Sequence, residues 1–214
     1  MSTYTQQHRI IGISTPLKED ALLLQSFSGE EGVSVPFRFD LRLHSEDRNI
    51  KFDAVVGQPA TVRINLADGS ARYINGIISQ FTQGGASQRF AHYSATLVPW
   101  LWLLTRTSDC RIFQNKSAID IIQQIFKEYG FADYRLKLQG APEEREYCVQ
   151  YRETDFNFVS RLLEEEGIFY FFEHEESKHT LVLANSQHEF KDCPDQATAR
   201  YEMVTHEHWL EDLV

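Results

Sequence analysis

Apolar and polar residues alternate most cleanly between Phe37 and His44. Phe37, Phe39, Leu41 and Leu43 take every second position, with Arg38, Asp40, Arg42 and His44 between them. A period of two puts the four apolar side chains on one face of a strand. Val62, Ile64 and Leu66 alternate with Arg63 and Asn65 in the same way, and Ala91, Tyr93, Ala95 and Leu97 alternate with His92, Ser94 and Thr96. Asp68-Gly69 is a hairpin-turn dipeptide. The chain returns through Tyr73 to Phe81, where Gly76 inside the strand pattern predicts a bulge. Leu22 to Phe27 is an apolar run, and the turn-prone Ser28-Gly29 and Glu30-Glu31-Gly32 predict its end. Gly84-Gly85 predicts another turn. Residues 1–108 thus read as a meandering all-β unit. Closing its sheet into a barrel would remove exposed strand edges.

The period changes near Asn115. Ser117 is a good N-cap with Asp120 three residues on, close to a capping box. Ala118, Ile122, Ile125, Phe126 and Tyr129 share one helical stripe, and Gly130 supplies a left-handed stop. Residues 131–145, with Ala141-Pro142 and an acidic stretch, read as a loop, and Tyr147–Tyr151 as a short strand. Thr154 caps a second helix whose stripe is Phe156, Val159 and Leu163, widened by Phe158 and Leu162 and stopped by Gly167. Ile168–Phe172 and Thr180–Ala184 pair as a hairpin around a polar turn. The second half, 109–214, is therefore expected to be mixed, with helices near 117–130 and 154–167 and a hairpin near 168–184. Residues 185–214 carry little pattern.

Composition supports a folded core. The chain has 214 residues, 42% hydrophobic and 13% aromatic, which argues against disorder. A net charge of -10 repels phosphate backbones and anionic membranes, and no basic run offsets it. Nucleic acid and membrane are therefore not expected as partners. No apolar stretch approaches the ~18 residues of a membrane span. Met1–Arg9 is polar and lacks the core of a signal peptide. Cys110, Cys148 and Cys193 form neither a CxxC pair nor a disulfide framework, which suits a reducing compartment.

The candidate chemistry is sparse. Glu164-Glu165-Glu166 ends the second helix, against its macrodipole. Paired carboxylates there could serve acid/base catalysis, meet a basic patch on a neighbouring subunit, or simply be solvated. His174, His179, His188, Cys193, His206 and His208 are rich in metal-ligating atoms, but their spacings match no compact zinc signature. Cys110 and Cys148 are expected to be buried structural thiols. Gly12-x-Ser14 lacks the following glycine of a nucleophile elbow. Neither GxGxxG nor GxxxxGK[ST] occurs. The aromatic run Phe169–Phe172 and the pair Trp100 and Trp102 are expected in the core. The residues therefore assign no catalytic, cofactor or metal position.

The block YCVQYRETDFNFVSRLLEEEGIFYFFEH, Tyr147 to His174, closely resembles the most characteristic stretch of the VgrG spike proteins of bacterial type VI secretion. Leu23 to Leu43, with Ser26-Phe27-Ser28-Gly29 and Pro36-Phe37-Arg38-Phe39-Asp40, resembles the family's opening. Phe113 to Tyr129 resembles its helix. The likeness runs from about residue 10 to 210. It implies a mainly β, α+β fold: an Hcp-like, phage tail hub-like barrel followed by a second barrel-type unit. Three subunits would form a pseudo-sixfold ring seated on the Hcp tube, without enzymatic activity or cofactor. The implied partners are Hcp, two further VgrG subunits, and effector or adaptor proteins. A PAAR tip would be reached only through a C-terminal needle that this sequence, stopping at Val214, does not contain. The implied location is cytoplasmic during assembly, then outside the cell or inside a target. Rival readings are a hydrolase of cell-envelope polymers using Glu164 or Glu166, and a cargo-binding adaptor.

Either Phe158→Asp or Val159→Asp, by placing a charge against the core, should unfold the chain. A thermal melt checks this, and an unchanged midpoint would refute the helix orientation.

Overall fold

The structure, a computed structural model, describes residues 4–140 and 142–190. Strands β1 (Ile11–Ser14), β2 (Leu23–Gly32), β3 (Val35–Ser45), β4 (Pro59–Asn65), β5 (Ala71–Ala86) and β6 (Ala91–Val98) form one antiparallel sheet in the order β1-β4-β5-β6-β3-β2. Phe37, Phe39, Leu41 and Leu43 are all buried, as are Ala91, Tyr93, Ala95 and Leu97 beside them. The expected apolar faces are thus the inner faces.

The sheet curls until its edge strands β1 and β2 come within reach of one side chain. Gln6, buried, donates its Nε2 to the carbonyls of Ile13 (3.2 Å) and Leu22 (3.0 Å). Its Oε1 accepts from the amides of Ile13 (3.0 Å) and Leu24 (2.8 Å). A carboxamide offers the same donor and acceptor as a peptide group. It therefore stands in for a missing strand residue and satisfies backbone groups that would otherwise be orphaned at the seam.

Two turn expectations and one bulge expectation fail, and close strand approach at Gly29 and Gly76 accounts for two of the three. β2 does not end at Ser28-Gly29 but continues to Gly32, and the turn lies at residues 33–34. A Cβ on Gly29 would lie 2.2 Å from the carbonyl of Arg38, so this glycine permits close strand approach rather than a turn. Gly76 is not at a bulge. A Cβ there would meet the Val98 carbonyl at 2.7 Å, and the bulge falls between Ile78 and Gln80. Gly84-Gly85 lies inside β5 at a register shift, and the turn comes at residues 87–90.

A short 3-10 helix, Trp100–Arg106, leads into β7 (Ser108–Ser117) and α1 (Ala118–Glu128). Then follow β8 (Tyr134–Lys137), β9 (Glu144–Thr154), α2 (Asp155–Glu165), β10 (Phe169–His174) and β11 (His179–Ala184). β7 and β9 make a long two-stranded ribbon. β10, β11 and β8 form a three-stranded sheet in which β8 runs parallel to β11. β1, β7 and β8 were not legible in the sequence pattern, and β9 is longer than the Tyr147–Tyr151 expected. Both helices lie where the stripes put them. Ser117 and Asp120 make a full capping box, Thr154 accepts from the Asn157 amide, and Gly130 and Gly167 take the left-handed conformation. Phe158 and Val159 are buried, Phe158 stacking on Phe113 at 5.7 Å. A single apolar cluster runs from the curled sheet through the Trp100 turn to both helices and β11.

Replacing Gln6 by Ala strips four backbone groups of their partners. At roughly 1–3 kcal/mol for a buried unsatisfied group, with water entering to relieve some, the loss should be about 3 kcal/mol. Urea denaturation measures it. A change below about 0.5 kcal/mol, the size of a neutral surface substitution, would show that the seam does not need this clasp.

Candidate functional site

The acidic run sorts into different environments. Glu165 and Glu166 both bind Arg145 of β9, at 2.5 and 2.6 Å, while Glu164 is exposed. Arg161 also reaches Glu165 (3.1 Å) and Glu153 (2.8 Å). The Arg145 guanidinium holds the Glu165 carboxyl below the usual range. A carboxyl so held stays ionised and is a poor proton donor. The basic partner belongs to this same chain rather than a neighbouring subunit. It ties the C-terminal end of α2 to the ribbon.

The histidines and cysteines do not converge as a group. Cys193, His206 and His208 lie outside the described residues. His188 is exposed. Among the described residues, no group of three or more His, Cys, Asp or Glu side chains could hold a metal ion. Cys148 is buried, but Cys110 is exposed and corrects the expectation of a buried thiol. The register shift at Asp109 and Cys110 sets it opposite Tyr151 on the outer ribbon face, while Cys148 pairs with the buried Phe113. Ser14 is exposed at the end of β1. Tyr170 and Phe172 point into the core, whereas Phe169 and Phe171 are half-buried against Phe190. Trp100 is buried, and Trp102 is half-buried under the Arg106 guanidinium at 5.3 Å.

His174 and His179 do come together, at the junction of the two sheets. β6 stops at Val98, opposite Ile77, so the earlier part of β5 lacks a partner on that side. The end of the β10–β11 hairpin fills the place. The Trp100 amide donates to His179 Nε2 (2.9 Å), so Nε2 is unprotonated and Nδ1 carries the hydrogen. Nδ1 then donates to Asn75 Oδ1 (2.8 Å), Asn75 Nδ2 donates to Thr61 Oγ1 (2.8 Å), and that hydroxyl donates to the Glu176 carbonyl (2.8 Å). The backbone amide of Asn75 donates to His174 Nδ1 (3.1 Å), whose Nε2 meets Glu31 at 3.1 Å. Phe37 is the apolar partner of this relay. Its ring lies 5.0 Å from Phe172, 4.9 Å from His174 and 5.6 Å from His179. Nearby, the Ser34 amide donates to the Tyr170 carbonyl at 2.8 Å, so the β2–β3 turn is bonded to β10. Burial pushes His179 down to about 3, with His174 adding to the effect.

Sequence reasoning missed a second buried polar network. Arg111, on β7, binds Asp155 (2.5 Å), Glu128 (2.6 Å) and Gln150 (2.8 Å). Tyr129 and Gln150 also donate to Asp155, at 2.6 and 2.7 Å. Asp155 and Gln150 are buried. Burial first, and then the bond to Asp155, raises the Tyr129 hydroxyl above its ordinary value. The one available signal was Asp155 in the first turn after the Thr154 cap, and it carries no pointer to Arg111. These buried groups bond one another and leave no free nucleophile or proton donor aimed at a cleft. Their chemistry is positional: they fix strands and helices against one another. One exposed apolar row is the outer ribbon face, where Ile112 (62% exposed) and Tyr151 (65%) stand beside Tyr147 and the half-buried Val149. Apolar groups in such a row mark a contact surface.

Residues 30–209 match the phage tail baseplate hub (GPD) family. The chain is 47% identical over 196 residues to the type VI secretion system spike protein VgrG1b of Pseudomonas aeruginosa, covering 92% of this chain and 26% of that protein. It is 38% identical to the spike protein VgrG3 of Vibrio cholerae, covering 79% of this chain and 18% of that one. The chain thus spans about a quarter of the length of VgrG1b and less than a fifth of that of VgrG3. Among solved structures, it superposes with a TM-score of 0.77 and 29% identity on the E. coli c3393 protein, over 84% of this chain and 50% of that one. That protein is described as a component of the type VI secretion system with structural similarity to the T4 tail proteins gp27 and gp5. The tail protein of Neisseria meningitidis shares the fold at a TM-score of 0.55 and 15% identity, over 81% of this chain and 50% of that one.

The depressed His179 value fixes a pH dependence. Unfolded, the imidazole returns to its ordinary 6.5 and binds a proton that the folded chain refuses down to about 3. The contribution is intact above 6.5 and is lost as pH falls from there towards 3, at up to about 1.4 kcal/mol per pH unit. His44, also lowered chiefly by burial, adds in the same direction. Urea titrations between about pH 7 and 5 should show this loss, and His179→Phe should flatten it. An equal slope in the variant would remove His179 as the cause.

Proposed function

The chain belongs to the phage tail baseplate hub family, with VgrG spike proteins of type VI secretion among its relatives, and from that premise we propose that it forms the base of such a spike, seated on the Hcp tube during effector delivery. In this reading the protein makes and breaks no bonds. Three copies, each contributing its residues 1–108 and 109–214, would form a pseudo-sixfold ring. The ring assembles in the cytoplasm and leaves the cell with the spike. No helix among the described residues is long and apolar enough to cross a membrane.

The observation that carries the reading is the junction around Asn75, His179 and Phe37. A base that transmits thrust from a tube has to be stiff between its parts. Here the two sheets share one apolar cluster and a buried relay of directed hydrogen bonds. Cores packed to crystal-like density transmit strain instead of absorbing it. The exposed ribbon face gives such a module a surface through which to meet another subunit. Glu165 and Glu166, engaged by Arg145, serve the fold.

The reading expects this chain, mixed with purified Hcp rings, to co-elute with them on a sizing column and to sediment at three copies per ring. Independent elution of the two proteins at concentrations well above micromolar would refute the docking. Hydrolysis of purified bacterial wall by this chain, abolished in Glu166→Gln, would refute the non-enzymatic part.

A further inference from the structure

We propose that the outer face of the β7–β9 ribbon receives a segment of another protein that carries apolar side chains flanked by lysines or arginines. The inference rests on the reading of this ribbon as a contact surface and adds the chemistry of what covers it. Seating on the Hcp tube does not depend on it.

Register settles which side chains point outward. Ile112 pairs with Val149 and Gln114 with Tyr147, and the buried pair Phe113 and Cys148 lies between them. Tyr151 follows Val149 after the buried Gln150. A period of two therefore sets Ile112, Tyr147, Val149 and Tyr151 in one row on the side away from the core. Ile112, Tyr147 and Tyr151 are each more than half exposed. Among the described residues the ribbon has only its two strands, so no third strand or helix of this chain covers the row.

Charge selects the occupant. Beyond Tyr147 the ribbon ends in the pairs Lys116 with Arg145 and Ser117 with Glu144. Arg145 reaches across to Glu165 and Glu166, which brings the C-terminal end of α2 to the same place. Arg161 is likewise shared between Glu153 and Glu165, and Lys116 donates to Gln124. Each arginine thus already has two carboxylates of its own. Glu143, Glu144, Glu146 and Glu164 are exposed in addition, and among the described residues no cation pairs with any of them. The negative end of the α2 dipole adds to this excess. Arg145 lies two residues beyond Tyr147, about 7 Å along the strand, which is inside the ~8 Å screening length at physiological salt. The far end of the row is different, since Arg152 lies over the Tyr151 ring at 5.2 Å. The row is therefore apolar along its length and acidic at its Tyr147 end. It fits apolar side chains with lysine or arginine beside them and repels an acidic counterpart.

The probe is a blocked peptide that repeats Leu-Lys-Lys-Leu-Leu-Lys-Lys twice, a helix about 21 Å long with its leucines on one face. Such a helix, about 10 Å across, matches the width of two strands. Two further peptides carry glutamine or glutamate in place of every lysine. The full chain is titrated with each while backbone amides are followed by NMR. The lysine peptide should bind at least about tenfold more tightly than the glutamine one and shift the amides of Ile112, Tyr147 and Val149, and the glutamate peptide should not bind. Ile112→Ser combined with Tyr151→Ser, both at exposed positions, should weaken binding about fivefold or more. Glu144→Lys combined with Glu164→Lys should weaken it about tenfold. Glu19→Lys combined with Glu30→Lys, an equal change of net charge at exposed positions of the first half, should alter it less than about twofold. Equal losses in the two charge variants, no binding at millimolar concentration, or shifts that miss the ribbon would each overturn the proposal. So would a chain that dimerises alone in sedimentation and ceases to do so as Ile112→Ser, since the face would then belong to a second copy. Co-elution with Hcp is read separately, so none of these outcomes decides the spike-base reading.

Discussion

Seating the β10–β11 hairpin against β5 takes an imidazole, a carboxamide and a hydroxyl out of water, and each must then find a partner inside the protein. The relay from the Trp100 amide through His179, Asn75 and Thr61 to the Glu176 carbonyl meets that demand with every donor facing an acceptor. It works only with a neutral His179, because Nε2 must accept while Nδ1 donates. The relay is also directional. Five groups on five segments have to be in register before all are satisfied, so hydrogen-bond geometry as well as packing holds the second sheet against the curled one.

The same economy appears at the seam of the first sheet. Curling brings β1 and β2 close, and one buried carboxamide substitutes for a ladder. Gly29 and Gly76 allow the curl, since a side chain at either would collide with the next strand. In the second half, ion pairs play the corresponding part. Arg111 gathers β9, α1 and α2 around Asp155, and Arg145 pins the far end of α2. A buried carboxylate is costly unless it is fully bonded. Asp155 accepts from Arg111, Tyr129 and Gln150.

These features suit the structural role proposed above. Of the ionisable groups that stand out in the sequence, Glu165, Glu166, His174 and His179 are engaged in holding elements together. Among the described residues, the apolar ribbon face around Ile112 and Tyr151 stands open on the surface.

The sequence alone determined whatever is written in local periodicity. Alternation fixed the inner faces of β3 and β6. The 3.6-residue stripe with Ser117, Thr154, Gly130 and Gly167 fixed both helices and their ends, and the Tyr147–His174 block carried the family resemblance. Tertiary structure alone decided the roles of Gly29 and Gly76, because glycine at a turn and glycine under a neighbouring strand look the same until the neighbour is known. It also decided the clasp of Gln6, the tautomer of His179 and the partners of Arg111 and Glu165. Each is a contact between residues far apart along the chain, and one-dimensional spacing holds no trace of it. The physical reason is that burial, which gives a polar group its energetic weight, is a property of the assembled fold.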